Sequence, residues 1–177
     1  MTLWLVRHGA ADWPVGAALG WSDPPLSPAG ETQARAAAQA LAARPLTAVH
    51  ASDLLRARAT AEVVAAPHGL PVRVSADLRE LDFGPWEGRR LADLWREHPE
   101  AARTWEADLS RSPPQFGESV AELEARVGRW AAALARGEEA AIVAHRGSLA
   151  ALQALLTGGA FAESWALGFE PGEVRPC

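Results

Sequence analysis

Leu3-Trp4-Leu5-Val6-Arg7-His8-Gly9 is a short apolar run that stops abruptly in a guanidinium, an imidazole and a glycine. A run of this length ending in a loop signal predicts a buried strand that empties into a turn. The same pattern returns late in the chain, where Ala140-Ala141-Ile142-Val143-Ala144 is followed by His145-Arg146-Gly147. Two strands that each deliver a histidine to their carboxyl end decide how the rest is read.

Working outward, Ser27 before Pro28 is an N-cap with proline at the first helical position, and an Ala/Gln/Leu-rich pattern predicts a helix to about Arg44. Ala48-Val49-His50-Ala51 predicts a second strand. Ser52-Asp53 is expected to cap a helix to about Ala66, stopped by Pro67 and Gly69, and Pro71 to Val74 predicts a third strand. Leu78 to Gly88 has no clean period and holds Gly84-Pro85, so it is expected to be loop with a helical turn. Helical patterns return from Arg89 to His98 and from Ala101 to Leu109. Ser119 opens the longest one, with Val120, Leu123, Val127, Trp130 and Leu134 on one face as far as Gly137. Ser148 to Leu156 reads as helix, and the tail from Phe161 to Val174 is expected to add an edge strand or two.

Strands alternating with helices imply crossover connections and a mostly parallel sheet covered on both faces, an α/β/α sandwich of three layers. No linker or repeat divides the 177 residues, so one domain is expected over residues 1–177.

Composition narrows the function classes. With 49% apolar and 22% charged residues, the chain can bury a single core. No apolar run approaches the roughly 18 residues of a membrane helix, and Arg7 interrupts the N-terminus before a signal-peptide core. The expectation is a soluble, unprocessed, cytoplasmic protein with no membrane partner. A net charge of −5 speaks against nucleic acid, and a lone Cys177 supports neither a disulfide framework nor a thiolate zinc site. There is no lysine, so every cationic site is a guanidinium or an imidazole, and no Walker loop is possible. Gly-x-Ser-x-Gly and His-Glu-x-x-His are also missing from the sequence.

In open α/β sheets, ligands bind beyond the carboxyl ends of the strands, where helix N-termini point free N–H groups at anions. His8 and His145 both belong in that crevice. Arg7 adjoins the first, and Arg56 falls in the first turn after Ser52-Asp53. A lone histidine is more often structural and a single arginine more often a solvated charge, but two guanidiniums and two imidazoles together describe a phosphate pocket.

Leu5-Val6-Arg7-His8-Gly9 resembles the signature of the histidine phosphatase (phosphoglycerate mutase-like) superfamily. Further blocks follow in family order: Gly20 to Ser27 with Gly30; Ser52-Asp53-Leu54 with Arg56-Ala57 and Thr60-Ala61; Leu78 through Gly88; Gly117-Glu118-Ser119; and Ala144-His145. The resemblance spans residues 3 to about 150. It implies a phosphoglycerate mutase-like fold and His8 as a nucleophile that forms a phosphohistidine, with no metal or other cofactor. Arg7, Arg56 and His145 would bind the phosphoryl oxygens by charge-assisted hydrogen bonds, and Glu80 would be the general acid. An exposed Glu80 paired with Arg79, or Asp82 in its place, is the competing reading.

The shortness of the chain and the Leu78 to Gly88 stretch look more like the small phosphatases than the mutases. The resemblance therefore implies phosphomonoester hydrolysis, on α-ribazole phosphate of the cobalamin pathway or on a broad range of metabolites. The alternatives are a cofactor-dependent phosphoglycerate mutase and, in a different class, a non-catalytic phosphate-binding protein. The partners implied are a small-molecule phosphomonoester and, at most, a second copy in a homodimer.

Three details depart from the family or stay open. Ala10 stands where many members carry Thr, and Arg146 where Gly is common; Arg146 is expected to point to solvent, with a second substrate-binding cation as the other reading. Trp13, Trp21 and Trp86 flank the predicted mouth, to stack on substrate or to pack the loops. Ser119, with Glu122 three residues on, reads as a capping box.

Overall fold

The computed structural model describes residues 2–108, 117–134 and 137–177. The expected helix end at Leu109 and the residues just before Gly137 lie outside the described residues. Strands β1 (Leu3–Arg7), β2 (Ala48–Ser52), β3 (Val72–Ser75), β4 (Ala140–Ala144) and β5 (Val174–Pro176) form one sheet in the order β3-β2-β4-β1-β5. The first four are parallel, and β5 runs antiparallel along β1. Helices α1 (Pro28–Leu41) and α2 (Leu55–Ala65) cover one face of the sheet, with α5 (Val120–Ala132) and α6 (Arg146–Thr157) on the other.

Alternation along the strands builds both cores. Val6, Val49, Ala141 and Val143 meet Leu41, Ala61 and Val64, while Leu3, Leu5 and Ile142 meet Leu123, Val127, Leu149 and Leu152. A strand buried on both faces has to read as a continuous apolar run, as β1 and β4 do. This is the three-layer α/β/α arrangement that the alternating patterns predict and the phosphoglycerate mutase-like fold that the resemblance implies.

Helix starts follow side-chain caps where the capping residue is free to serve. Ser27 Oγ accepts from Gly30 N at 3.1 Å, and Ser119 forms the expected capping box with Glu122. Ser52-Asp53, by contrast, does not cap α2. Ser52 is the buried end of β2, and Asp53 is bound to Arg79 at 2.7 Å. The first N–H of α2, on Leu55, goes instead to Asp23 Oδ1 at 2.6 Å.

The C-terminal tail adds one edge strand, as expected, but it begins only at Val174. Most of the stretch from Phe161 to Val174 is α7 (Phe161–Leu167) and turn, and one edge strand follows it. Phe161 and Ser164 are buried, so tertiary packing selects helix there. Pro176 is tolerated because β5 lies at the sheet edge. Two short helices, α3 (Leu91–Glu97) and α4 (Pro99–Ala107), lie between β3 and α5. Among the described residues, no helix is long and apolar enough to cross a membrane.

Candidate active site

Register brings the two histidines together. β1 and β4 are parallel neighbours with Arg7 opposite Ala144, so the next residue of each strand steps off the sheet beside the other. His8 N donates to Ala144 O at 3.0 Å, and the two imidazole centroids lie 4.8 Å apart. His145 is the N-cap residue of α6, and its N–H donates to Ser148 Oγ at 3.1 Å. Neither of its ring nitrogens has a hydrogen-bond partner among the described residues.

Arg56 reaches this pair from the first turn of α2 and is fully buried. Its Nη1 and Nη2 donate to the carbonyls of Ser22 and Gly20, each at 2.7 Å, and its Nε points at His8 Nε2 from 3.4 Å. His8 Nδ1 lies 2.6 Å from Gly9 O. A carbonyl only accepts, so Nδ1 carries the proton and Nε2 keeps its lone pair. Burial, then Arg56 and Arg7, hold the His8 pKa well below 6.5, so this tautomer is the neutral resting form.

Burial, Arg56 and His8 depress His145 in the same way. In the free protein it is a neutral N–H donor, whereas the sequence reading made it one partner of a charge-assisted bond. A bound dianion would supply the opposite charge that favours its protonation.

Glu80 comes from the loop after β3 and is 8% exposed. Its Oε1 accepts from Leu81 N at 2.8 Å and Gly147 N at 2.9 Å, at the start of α6. That approach needs glycine at 147, because a Cβ there would lie 2.3 Å from Glu80 Oε1. Burial raises the Glu80 pKa against the opposing pull of these N–H groups, Arg7 and Arg56. Arg79 is not its partner; that guanidinium holds Asp53, and Asp82 Oδ1 accepts from Gly84 N at 2.8 Å. Half-buried Arg7 donates Nη1 to Phe169 O at 2.5 Å, and its charge acts on His8, His145 and Glu80. The structure therefore brings together all five residues singled out in the sequence.

The tryptophans divide. Trp86 is 2% exposed in the core, with its outer neighbour the half-buried His98 ring stacked on it, so it packs rather than faces the mouth. Trp21 is 40% exposed, yet its indole N–H is fixed on Glu80 O at 2.8 Å with Arg79 over the ring at 4.9 Å. Trp13 is half-buried and donates to Ala18 O. Arg146 does not point freely to solvent: it lies over Trp165 at 4.4 Å and donates to Trp165 O.

Sequence reasoning gave no role to Thr60, which accepts from Gly9 N and donates to Arg56 O. Nor did it single out Arg126, which donates to the carbonyls of Asp77, Arg79 and Glu80 and pairs with Glu118 at 2.6 Å. Arg126 had a legible signal, a charge three residues after Leu123 and four before Trp130 on the buried stripe of α5.

Comparison with known proteins points the same way. The model of the histidine phosphatase superfamily (branch 1) matches residues 3–175. A glucosyl-3-phosphoglycerate phosphatase of Mycobacterium tuberculosis is 38% identical over 164 residues, covering 86% of this chain and 73% of that protein. The adenosylcobalamin/alpha-ribazole phosphatase of Salmonella typhimurium is 34% identical over 176 residues, covering 97% and 87%. The crystal structure of an alpha-ribazole phosphatase from Shigella flexneri superposes with a TM-score of 0.87 at 33% identity, covering 99% of this chain and 89% of that one.

Proposed function

The chain belongs to the histidine phosphatase superfamily and is a phosphomonoester hydrolase, and we propose that its catalysis runs through a phosphohistidine formed on Nε2 of His8. The observation that carries this reading is the lone pair of His8 Nε2, fixed beside Arg56 and within one ring contact of His145. In the first step Nε2 attacks phosphorus in line, the ester P–O bond breaks, and the departing oxygen takes the proton of Glu80. In the second, water attacks the phosphohistidine, its proton returns to Glu80, and the N–P bond breaks to release inorganic phosphate. Arg7, Arg56 and His145 hold the equatorial oxygens by hydrogen bonds aimed at the charge of the transition state.

The cations of this pocket are guanidiniums, and the described residues hold no group of three or more His, Cys, Asp or Glu suited to a metal ion. EDTA is accordingly expected to leave p-nitrophenyl phosphate hydrolysis unchanged within about twofold. Inhibition reversed by a divalent ion would overturn that assignment.

For the substrate we favour α-ribazole phosphate. The support is Trp21, a half-exposed indole fixed beside Glu80, which offers an aromatic surface to a planar base. A second reading, glucosyl-3-phosphoglycerate, is favoured by the 38% identity to the mycobacterial enzyme. Values of kcat/KM for both compounds and for the monophosphoglycerates decide between them. An α-ribazole phosphate value at least about tenfold above the others is expected, a difference of about 1.4 kcal/mol in transition-state stabilisation. Isomerisation of a monophosphoglycerate without net phosphate release would replace hydrolysis by a mutase reaction.

A further inference from the structure

Arg56 is a buried cation whose guanidinium is held by peptide carbonyls, and the loop that supplies them is itself gathered by a carboxylate. Glu87 Oε1 accepts from Gly20 N and Trp21 N, each at 2.8 Å, and Oε2 accepts from Ser22 N at 3.4 Å. Three successive N–H groups converging on one anion make a compact nest. The carbonyls of the same loop, Gly20 O and Ser22 O, accept from Arg56 Nη2 and Nη1.

The Gly20–Trp21 peptide is the centre of this arrangement. Its N–H faces the Glu87 carboxylate and its C=O faces the Arg56 guanidinium, so the two charges polarise one amide from both ends. Glycine is required at 20, since a Cβ would lie 2.3 Å from Leu81 O and 2.4 Å from Glu87 Oε1. The far end of the loop is fixed by Asp23 on Leu55 N, the residue before Arg56.

We propose that Glu87 is a positioning residue for phosphoryl transfer, acting through loop residues 20–22 to hold the Arg56 guanidinium against His8. The inference rests on the pocket assignment above, with His8 as nucleophile and Arg56 as a phosphoryl-binding cation. Glu87 does not touch the phosphoryl group in this scheme. Without the carboxylate, the three N–H groups lose their common anionic acceptor, the carbonyls of Gly20 and Ser22 turn, and Arg56 leaves the position from which it meets the equatorial oxygens. Misplacement of such a group by about 1 Å costs on the order of 10²-fold in rate.

The test is a double-mutant cycle on full-length protein with E87Q, E87A, R56A and R56A/E87Q. Readouts are kcat/KM on p-nitrophenyl phosphate, orthovanadate inhibition and melting temperature. E87Q keeps the shape but offers an N–H₂ to Ser22 N, and a roughly 10- to 100-fold fall in kcat/KM is expected, with vanadate affinity weakened in step. On the R56A background, the same substitution is expected to cost less than about threefold, because the group it positions is gone. A full, additive loss on R56A, or an E87Q enzyme with unchanged rate and vanadate affinity, overturns the proposal. A merely structural role would lower the melting temperature and leave vanadate affinity per folded site unchanged, which also overturns it. If E87A does not fold, the isosteric E87Q still completes the cycle. An R56A enzyme with full activity would overturn the pocket assignment itself, whereas an impaired R56A with additive E87Q removes only the role of Glu87.

Discussion

His8→Ala is expected to lower kcat/KM for p-nitrophenyl phosphate by about 10⁴-fold or more while the protein stays folded. The size follows from the role: removing a nucleophile forfeits the covalent route altogether, and what survives is binding and charge stabilisation of direct water attack. Survival of the fold follows from the surroundings. Arg56 keeps its bonds to Ser22 O and Gly20 O, the ladder bond from residue 8 N to Ala144 O is main-chain, and His145 stays capped by Ser148. The variant forfeits the bond to Gly9 O, the long contact from Arg56 Nε and the ring contact with His145, a loss on the order of 1–3 kcal/mol. Steady-state rates, circular dichroism and acid-quenched trapping of a phosphoenzyme together check this. Loss of both turnover and phosphoenzyme in a folded protein is the expected outcome. A folded His8→Ala enzyme within about tenfold of the parent would remove His8 from the mechanism.

That the two histidines would meet was legible in the sequence, because each directly follows an apolar run and a parallel sheet places such ends side by side. What joins them was much less legible. Arg56 was placed in the right turn of α2, but the reason offered for that turn was wrong: Ser52 and Asp53 are claimed by the sheet and by Arg79, and the cap comes from Asp23. A local capping signal is a weak energy term, and a tertiary ion pair or a buried strand end overrides it. Glu87 carries no periodic signal at all, since its partners are main-chain N–H groups of a loop and any sequence supplies those. The sequence leaves Trp86 open for a related reason: beside Gly84-Pro85 an indole can face the mouth or pack the loop, and only the helical turn at Gly84–Trp86, which folds it inward, selects packing.

Glu80→Gln separates esters by their leaving group, and the reason lies in two opposed pKa shifts. The proposed first step needs a neutral imidazole at His8 and a neutral carboxyl at Glu80 at the same time. With ordinary values that combination is never the majority state, because the carboxyl ionises near 4.5 before the imidazole loses its proton near 6.5. Burial moves the carboxyl up and, aided by Arg56, moves the imidazole down, so both shifts run toward the combination that the first step requires.

The sign on the rate is then fixed. For an alkyl phosphate, kcat/KM falls as pH rises through the raised pKa of Glu80, because the proton donor is lost, and the limb due to His8 lies well below 6.5. Glu80→Gln keeps an oxygen for Leu81 N and Gly147 N, so the loop stays in place, but it has no proton to give. Alkyl esters are expected to lose about 10²–10⁴-fold in kcat/KM and to show no alkaline limb that follows residue 80. p-Nitrophenyl phosphate, whose leaving group departs as an anion without help, is expected to lose less than about tenfold in kcat/KM, which reports the first step alone. Substrate ionisation is common to both enzymes, so the difference between their pH profiles isolates this carboxyl. Equal losses on the two ester types, with the alkaline limb retained, would place the proton elsewhere, with Asp82 the next group to substitute.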